Sequence, residues 1–281
     1  MVRLYVYREV NENYFKKWNP DMAYILGLWF ADGNIYRNRF SITLQSKDRD
    51  LLLLIKKRMG STHKLYNINN LKANSLEIRN INIVRDIIKL GGKPNKSLTI
   101  KFPDIPKKYL PDFIRGYFDG NGSIYKDVYN KTWNIEVVSG SKKFIKRMTK
   151  ILKVEIPNLR GVIRERNNNG NTIRFSANNA RRLGIFMYNT KSNLKLKRKY
   201  KLFKNMGWKI REYKNQMNGY KRIGILKEVT KERLVELLKK NTMTHVAKLL
   251  DVNHHSIRKL INKFGIKYKI KRGIRPWEHA D

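Results

Sequence analysis

Two short segments hold the residues best suited to chemistry. Ile25-Leu26-Gly27-Leu28-Trp29-Phe30-Ala31-Asp32-Gly33 and Ile114-Arg115-Gly116-Tyr117-Phe118-Asp119-Gly120-Asn121-Gly122 are each an apolar stretch running into a small, glycine-flanked turn. Aligned on their glycines, Asp32 and Asn121 take the same place, 121 − 32 = 89 residues apart. A carboxylate and an amide oxygen are both ligands for hard cations, although only the carboxylate brings charge. The chain has no cysteine, which removes disulfides, thiolate metal sites and cysteine nucleophiles together. Asp119, two residues ahead of Asn121 where the first segment has Phe30, reads as a local hydrogen-bonding group rather than a ligand.

Those segments need elements to position them, and the periodicity of the chain supplies a repeated set. Gly27 and Gly116 lack side chains, so helices that carry them can approach closely, and Ala31 and Gly120 keep the contact narrow further along. After Asp32, residues 34–45 read as extended, with a basic break at Arg37-Asn38-Arg39, and 48–59 carry apolar residues at 51, 52, 55 and 59, a helical face. Strand signals follow at Leu65, Tyr66 and Ile68 and at Leu76 and Ile78, and 81–90 reads as a helix stopped by Gly91-Gly92. The order then returns: a hairpin over 123–139, a helix over 142–153, a hairpin over 159–175 turning at Asn169-Gly170, and a helix over 177–188. This predicts an α+β fold built from a duplicated αββαββα unit. The repeats fall at 1–95 and 96–204, with a linker at 205–229 and a small all-α domain at 230–281.

Charge narrows the partner. Sixty-two Lys and Arg against 22 Asp and Glu give a formal net charge of +40, while 41% apolar residues suffice for a core. So positive a surface repels itself unless an anion is present. Duplex nucleic acid, with one negative charge per ~1.7 Å of axis, is the natural counterpart. A membrane fits less well, because no apolar run approaches about 18 residues and no long basic amphipathic helix stands out. The first residues lack the apolar core of a signal peptide, so a cytoplasmic location, bacterial or phage-encoded, or an organellar one is expected.

Both segments resemble the motif of the LAGLIDADG homing endonucleases, and the resemblance runs from about Tyr14 to about Phe203. Met22-Ala23-Tyr24 ahead of the first copy fits the pattern, as do Lys96-Ser97-Leu98 and Phe113-Ile114-Arg115-Gly116 leading into the second. One such nonamer is a weak signal; two, each opening an αββαββα unit, are a strong one. The resemblance implies that the motif helices pack side by side and bring their penultimate residues together. Carboxylates so placed repel each other and face the negative ends of helix dipoles, a conflict that a divalent cation resolves. Such cations activate water and stabilise the leaving oxygen in phosphodiester hydrolysis. Mg2+ or another divalent cation is therefore the implied cofactor, with Asp32 and Asn121 as metal ligands at the catalytic positions and the carbonyls of Ala31 and Gly120 assisting. Gln45 matches a position that orders active-site water, with Val138 as its counterpart. Arg174 matches a basic position near the scissile phosphate, with Glu77 in the equivalent place. Asn121 departs from the pattern. Weaker metal binding and poor cutting of one strand follow, whether it is an inactivating substitution, the mark of a nickase or a sign of decay.

The predicted strands carry alternating polar residues: Tyr36, Arg37, Arg39, Ser41 and Thr43, then Lys64, Tyr66 and Lys72, then Lys126, Arg164 and Arg166. Such a face suits a β-ribbon in the major groove. A solvated surface would explain any one of them, but the set on a +40 chain points to DNA. Residues 242–266 resemble a helix-turn-helix, with Ala247 at the crossing and Ile257, Leu260 and Ile261 inward. His254, His255, Arg258 and Asn262 then reach toward base edges, and Lys259 and Lys263 suit phosphates. The expectation is a monomer that binds a long asymmetric double-stranded DNA site and cuts it, in the setting of intron homing. A non-cleaving DNA-binding regulator and an RNA maturase on the same fold are the alternatives.

Overall fold

The first half runs α1 (Pro20–Asp32), β1 (Gly33–Tyr36), β2 (Arg39–Gln45), α2 (Arg49–Arg58), β3 (Leu65–Ile68), β4 (Ala73–Arg79) and α3 (Ile81–Lys89). The second runs α4 (Leu110–Asn121), β5 (Gly122–Lys126), β6 (Trp133–Ser139), α5 (Lys142–Glu155), β7 (Val162–Arg166), β8 (Gly170–Ser176) and α6 (Asn178–Tyr188), followed by α7 (Lys197–Asn205). The computed structural model describes residues 8–166, 170–207, 229–250, 252 and 254–266. Its two compact units are Met1–Ile210 and Arg211–Asp281. The duplicated αββαββα order is present in both halves of the first unit. Asn205 belongs to α7 rather than to a linker, and most of the expected linker, like Asn169 of the expected turn, lies outside the described residues.

Each half forms an antiparallel four-stranded sheet, ordered β1-β2-β4-β3 and β5-β6-β8-β7. Residues directly opposite share a face. In the first sheet Phe40, Ile42, Leu44, Leu76 and Ile78 are buried against the helices, while Asn34 pairs with Ser41, Tyr36 with Arg39, Thr43 with Ser75 and Tyr66 with Ser75 on the other side. In the second sheet Ile124, Ile135, Val137, Ile173 and Phe175 are core residues. The opposite face takes Ser123, Tyr125, Glu136, Arg174 and the backbone positions of Arg164 and Arg166.

Helices α1 and α4 form the centre of this unit. Asn19 caps α1 by accepting from the Met22 amide, Pro20 opens it, and Met22 to Phe30 are all buried. A helix apolar on every side must lie inside, and α4 is its main neighbour. The contact depends on two glycines: a Cβ on Gly27 would strike the carbonyl oxygen of Phe113, and one on Gly116 that of Tyr24. Tyr24 Oη also donates to Asp119 Oδ2 at 2.7 Å, a buried bond between the helices.

The second unit contains α8 (Lys231–Lys240), α9 (Met243–Leu249) and α10 (His254–Lys263) around Leu234, Leu238, Val246, Ala247, Ile257, Leu260 and Ile261. Thr230 and Thr242 cap α8 and α9, accepting from the amides of Arg233 and His245. The two helices expected over 242–266 are present, and Ile257, Leu260 and Ile261 face inward. Asp251 and Asn253, between these two helices in the sequence, lie outside the described residues.

Because backbone opposes backbone at Gly116, relaxation is costly there. Gly116→Ala is expected to lower the unfolding free energy by about 3 kcal/mol, the upper end of overpacking costs; urea denaturation measures it, and a change under about 1 kcal/mol contradicts the close approach.

Candidate functional site

The C-terminus of α1 delivers Asp32 into a cavity of about 300 Å³, which Thr43, Gln45, Asp48, Gly120 and Arg198 also line. Gly120 is needed beside it, since a Cβ there would meet the Ala31 methyl and Asp32 Oδ2. Burial raises the Asp32 carboxyl above its usual range, opposed by the charges of Lys199, Lys96 and Arg198. Asp48 is committed elsewhere: Arg198 binds both of its oxygens, at 3.1–3.2 Å.

Two lysines at the helix ends complete the electrostatics. Lys96 Nζ donates to the Ala31 carbonyl at 3.1 Å. Lys199 Nζ donates to the carbonyls of Phe118 (2.7 Å), Asp119 (2.7 Å) and Gly122 (2.6 Å), so its three protons are all used. Both sit where the negative ends of α1 and α4 favour a cation. Burial lowers each ammonium to about 8, against the opposing pull of Asp32 on Lys96 and of Asp119 on Lys199. The path that delivers Lys199 is fixed by Arg115, which is 1% exposed and donates to the carbonyls of Met187 and Leu194, to Thr190 Oγ1 and to Asp112.

Of the residues singled out by sequence, Asp32, Thr43, Gln45, Asp119 and Gly120 share the cavity. Asn121 does not line it; its Nδ2 donates to Tyr117 Oη at 3.4 Å. Ala31 offers a carbonyl that Lys96 already occupies. Arg174 stands on the second sheet, its Nε donating to Glu136 Oε1 at 2.5 Å, while Tyr125 Oη donates to the same oxygen. Asp119 is a hydrogen-bonding group, its Oδ2 accepting from Tyr24 and from the Leu196 amide; burial pushes its carboxyl up to about 6.

Register corrects one correspondence. Gly33 pairs with Ile42 and Gly122 with Val137, so Val138 is the counterpart of Thr43, and Gln45 corresponds to Gly140. Gly140 packs so closely on the Ser97 carbonyl that a Cβ would collide with it. The second half therefore has no glutamine equivalent.

These donors fit one hard cation better than two. The Asp32 carboxylate and the Gln45 amide offer oxygen to an ion that keeps several waters. The α4 end offers a neutral amide and carbonyls already bonded to an ammonium. Among the described residues no group of three or more His, Asp or Glu is placed to hold a metal ion.

The polar face of the first sheet carries Tyr36, Arg39, Ser41, Thr43 and Tyr66, as alternation predicts, and adds Asn34 and Arg79. Arg37 is in the β1–β2 turn, Lys64 precedes β3, and Lys72 is exposed before β4. Lys126 pairs with Trp133, one place out of step with the polar face; Ser123 and Tyr125 take that side instead. On α10, His254, His255, Arg258, Lys259 and Asn262 are all exposed. Among the described residues no helix is long and apolar enough to cross a membrane.

Residues 109–195, from the start of α4 through α6, match the family of LAGLIDADG-like domains. The chain carries a LAGLIDADG-like domain. Its fold neighbours include variants of the homing endonuclease I-DmoI (13% identity, 65% of this chain and 99% of that one, TM-score 0.44). Full-length DUF199/WhiA from Thermatoga maritima aligns over 92% of this chain and 98% of its own (13% identity, TM-score 0.45). The LAGLIDADG homing endonuclease I-LtrWI, bound to target DNA, aligns over 82% and 97% (17% identity, TM-score 0.37). Among curated proteins, the uncharacterized protein MJ0398 of Methanocaldococcus jannaschii is 23% identical over 139 residues, 46% of this chain and 49% of its own length. The chain thus spans about half the length of the curated relative it matches.

Removing Lys199 takes the ammonium from the carbonyls of Asp119 and Gly122, each worth about 1–3 kcal/mol, and leaves Phe118 with the Gly122 amide alone. Lys199→Met is expected to destabilise the first unit by about 3 kcal/mol or more in urea unfolding. An unchanged midpoint contradicts the capping role.

Proposed function

We propose that the chain binds a long asymmetric site in duplex DNA along its two sheets and hydrolyses one strand, with a divalent cation held at Asp32. The observation that carries this reading is the inequality of the two helix ends. One presents a carboxylate in an open cavity beside Gln45; the other presents a neutral amide, lysine-capped carbonyls and no glutamine counterpart. Mg2+ bound there supplies an activated water and charge stabilisation for the leaving oxygen.

The chain's own residues do the positioning. Asp32 is the ligand; burial raises its carboxyl, and the positive charges of Lys199, Lys96 and Arg198 oppose that rise. Gln45 orients a water by hydrogen bonding, and Lys96 and Lys199 hold the helix ends neutral so that a phosphate can approach. The polar sheet faces follow the groove, and α10, as the second helix of a helix-turn-helix, adds a separate major-groove contact through His254, His255, Arg258 and Asn262. Such cutting serves intron homing by a monomeric protein.

A second reading, a non-cleaving DNA-binding regulator, is favoured by one observation: the Ala31 carbonyl, an expected metal ligand, is already bonded to Lys96. Plasmid assays separate the two. A site selected from a randomised duplex library is cloned and incubated with protein and Mg2+. The wild type is expected to convert supercoiled plasmid to nicked circles, and Asp32→Asn to slow this at least ~100-fold, as loss of a metal ligand does, while still binding. Binding with no nicking supports the regulator.

A further inference from the structure

The β1–β2 hairpin end of the first sheet gathers positive charge that the fold leaves uncompensated. Tyr36 faces Arg39 across β1–β2, and Arg39 faces Arg79 across β2–β4, so the three are neighbours on one face. Like charges directly opposite destabilise a sheet. Arg37 adds a third guanidinium from the turn, 5.3 Å from the centroid of the Tyr36 ring. It holds a left-handed φ of 51°, a conformation that costs a non-glycine residue energy and persists where the surroundings fix it. Tyr36, Arg37, Asn38, Arg39 and Arg79 line a cavity of about 280 Å³. The acid paired with the cluster is Glu77, whose Oε2 accepts from Arg39 Nη1 at 2.8 Å, while Glu12, beside Arg79, is bonded to Asn80 and Asn82. Three guanidiniums against the Glu77 carboxylate leave 3 − 1 = 2 positive charges.

The equivalent place in the second sheet is neutral. Asn134 faces Ser176 there, and Ser176 Oγ donates to Asn134 Oδ1 at 2.6 Å. A pair that is Asn and Ser on one sheet and Arg and Arg on the other is not a demand of the fold.

We propose that Arg37, Arg39 and Arg79 form a clamp for one backbone phosphate of duplex DNA. The clamp rests on the duplex-binding reading above and narrows it: these arginines hold the phosphodiester rather than read bases. The planar guanidinium fork matches phosphate oxygens in pairs. Because the second sheet carries the Asn134–Ser176 pair instead, the clamp gives a pseudo-symmetric protein one direction on its site.

Salt dependence of binding to a random-sequence duplex tests the clamp, since phosphate contacts act on any sequence. Each contact contributes about 0.9 to the slope of log K against log salt. Arg79→Ala is expected to lower that slope by about 0.9, with circular dichroism unchanged because Arg79 is exposed at the end of β4. Arg79→Lys retains most of the slope, and Glu77→Gln, which removes the competing acid, tightens binding. An unchanged slope in Arg79→Ala, with wild-type binding intact, overturns the clamp alone. Lost preference for one base pair at unchanged slope assigns these arginines to base reading and overturns it too. A wild-type protein that does not bind duplex DNA overturns the clamp together with the function it rests on.

Discussion

The backbone contact between α1 and α4 is the constraint on which the rest depends. Gly27 lies against the Phe113 carbonyl and Gly116 against that of Tyr24, so the two helices meet without intervening side chains. That closeness brings Gly120 against Asp32 and sets both helix C-termini at one level. Each half's sheet starts directly from the helix that precedes it, β1 at Gly33 and β5 at Gly122, so the helix contact also places the two sheets relative to one another.

Bringing two helix C-termini together concentrates negative potential. The protein answers with buried lysines: Lys96 at the Ala31 carbonyl, and Lys199 at three carbonyls around the end of α4. At the α1 end an acid with open access remains. At the α4 end Asp119 Oδ2 is bonded to Tyr24 and to the Leu196 amide, and Asn121 is turned to Tyr117. A duplicated fold has in this way become an asymmetric site, and the arginines at one hairpin end extend the asymmetry outward.

Much of this was legible in the sequence. Two motif copies at matched glycines disclosed the duplication, and strand alternation placed Tyr36, Arg39, Ser41 and Thr43 on one face because the strand period is two. The capping role of the lysines was not legible. Lys96 follows Asp32 by 96 − 32 = 64 residues and Lys199 follows Asn121 by 199 − 121 = 78, so no repeat alignment pairs them. The true counterpart of Gln45 required the Gly122–Val137 register, and Lys126 was misplaced by a single step at the end of β5. Arg39 and Arg79 meet only through the β2–β4 pairing, which joins positions 79 − 39 = 40 residues apart. Local pattern gives the face of a strand; which residues oppose each other is set by tertiary pairing.

Strand-resolved cleavage tests the central claim, that only the Asp32 end carries the chemistry, most directly. A duplex bearing the selected site is labelled on one strand or the other and incubated with the full chain and Mg2+. Cutting confined to one strand, the same strand in every molecule, is the predicted result. Equal cutting of both strands contradicts the account, since it requires the Asn121 end to work as well as the Asp32 end.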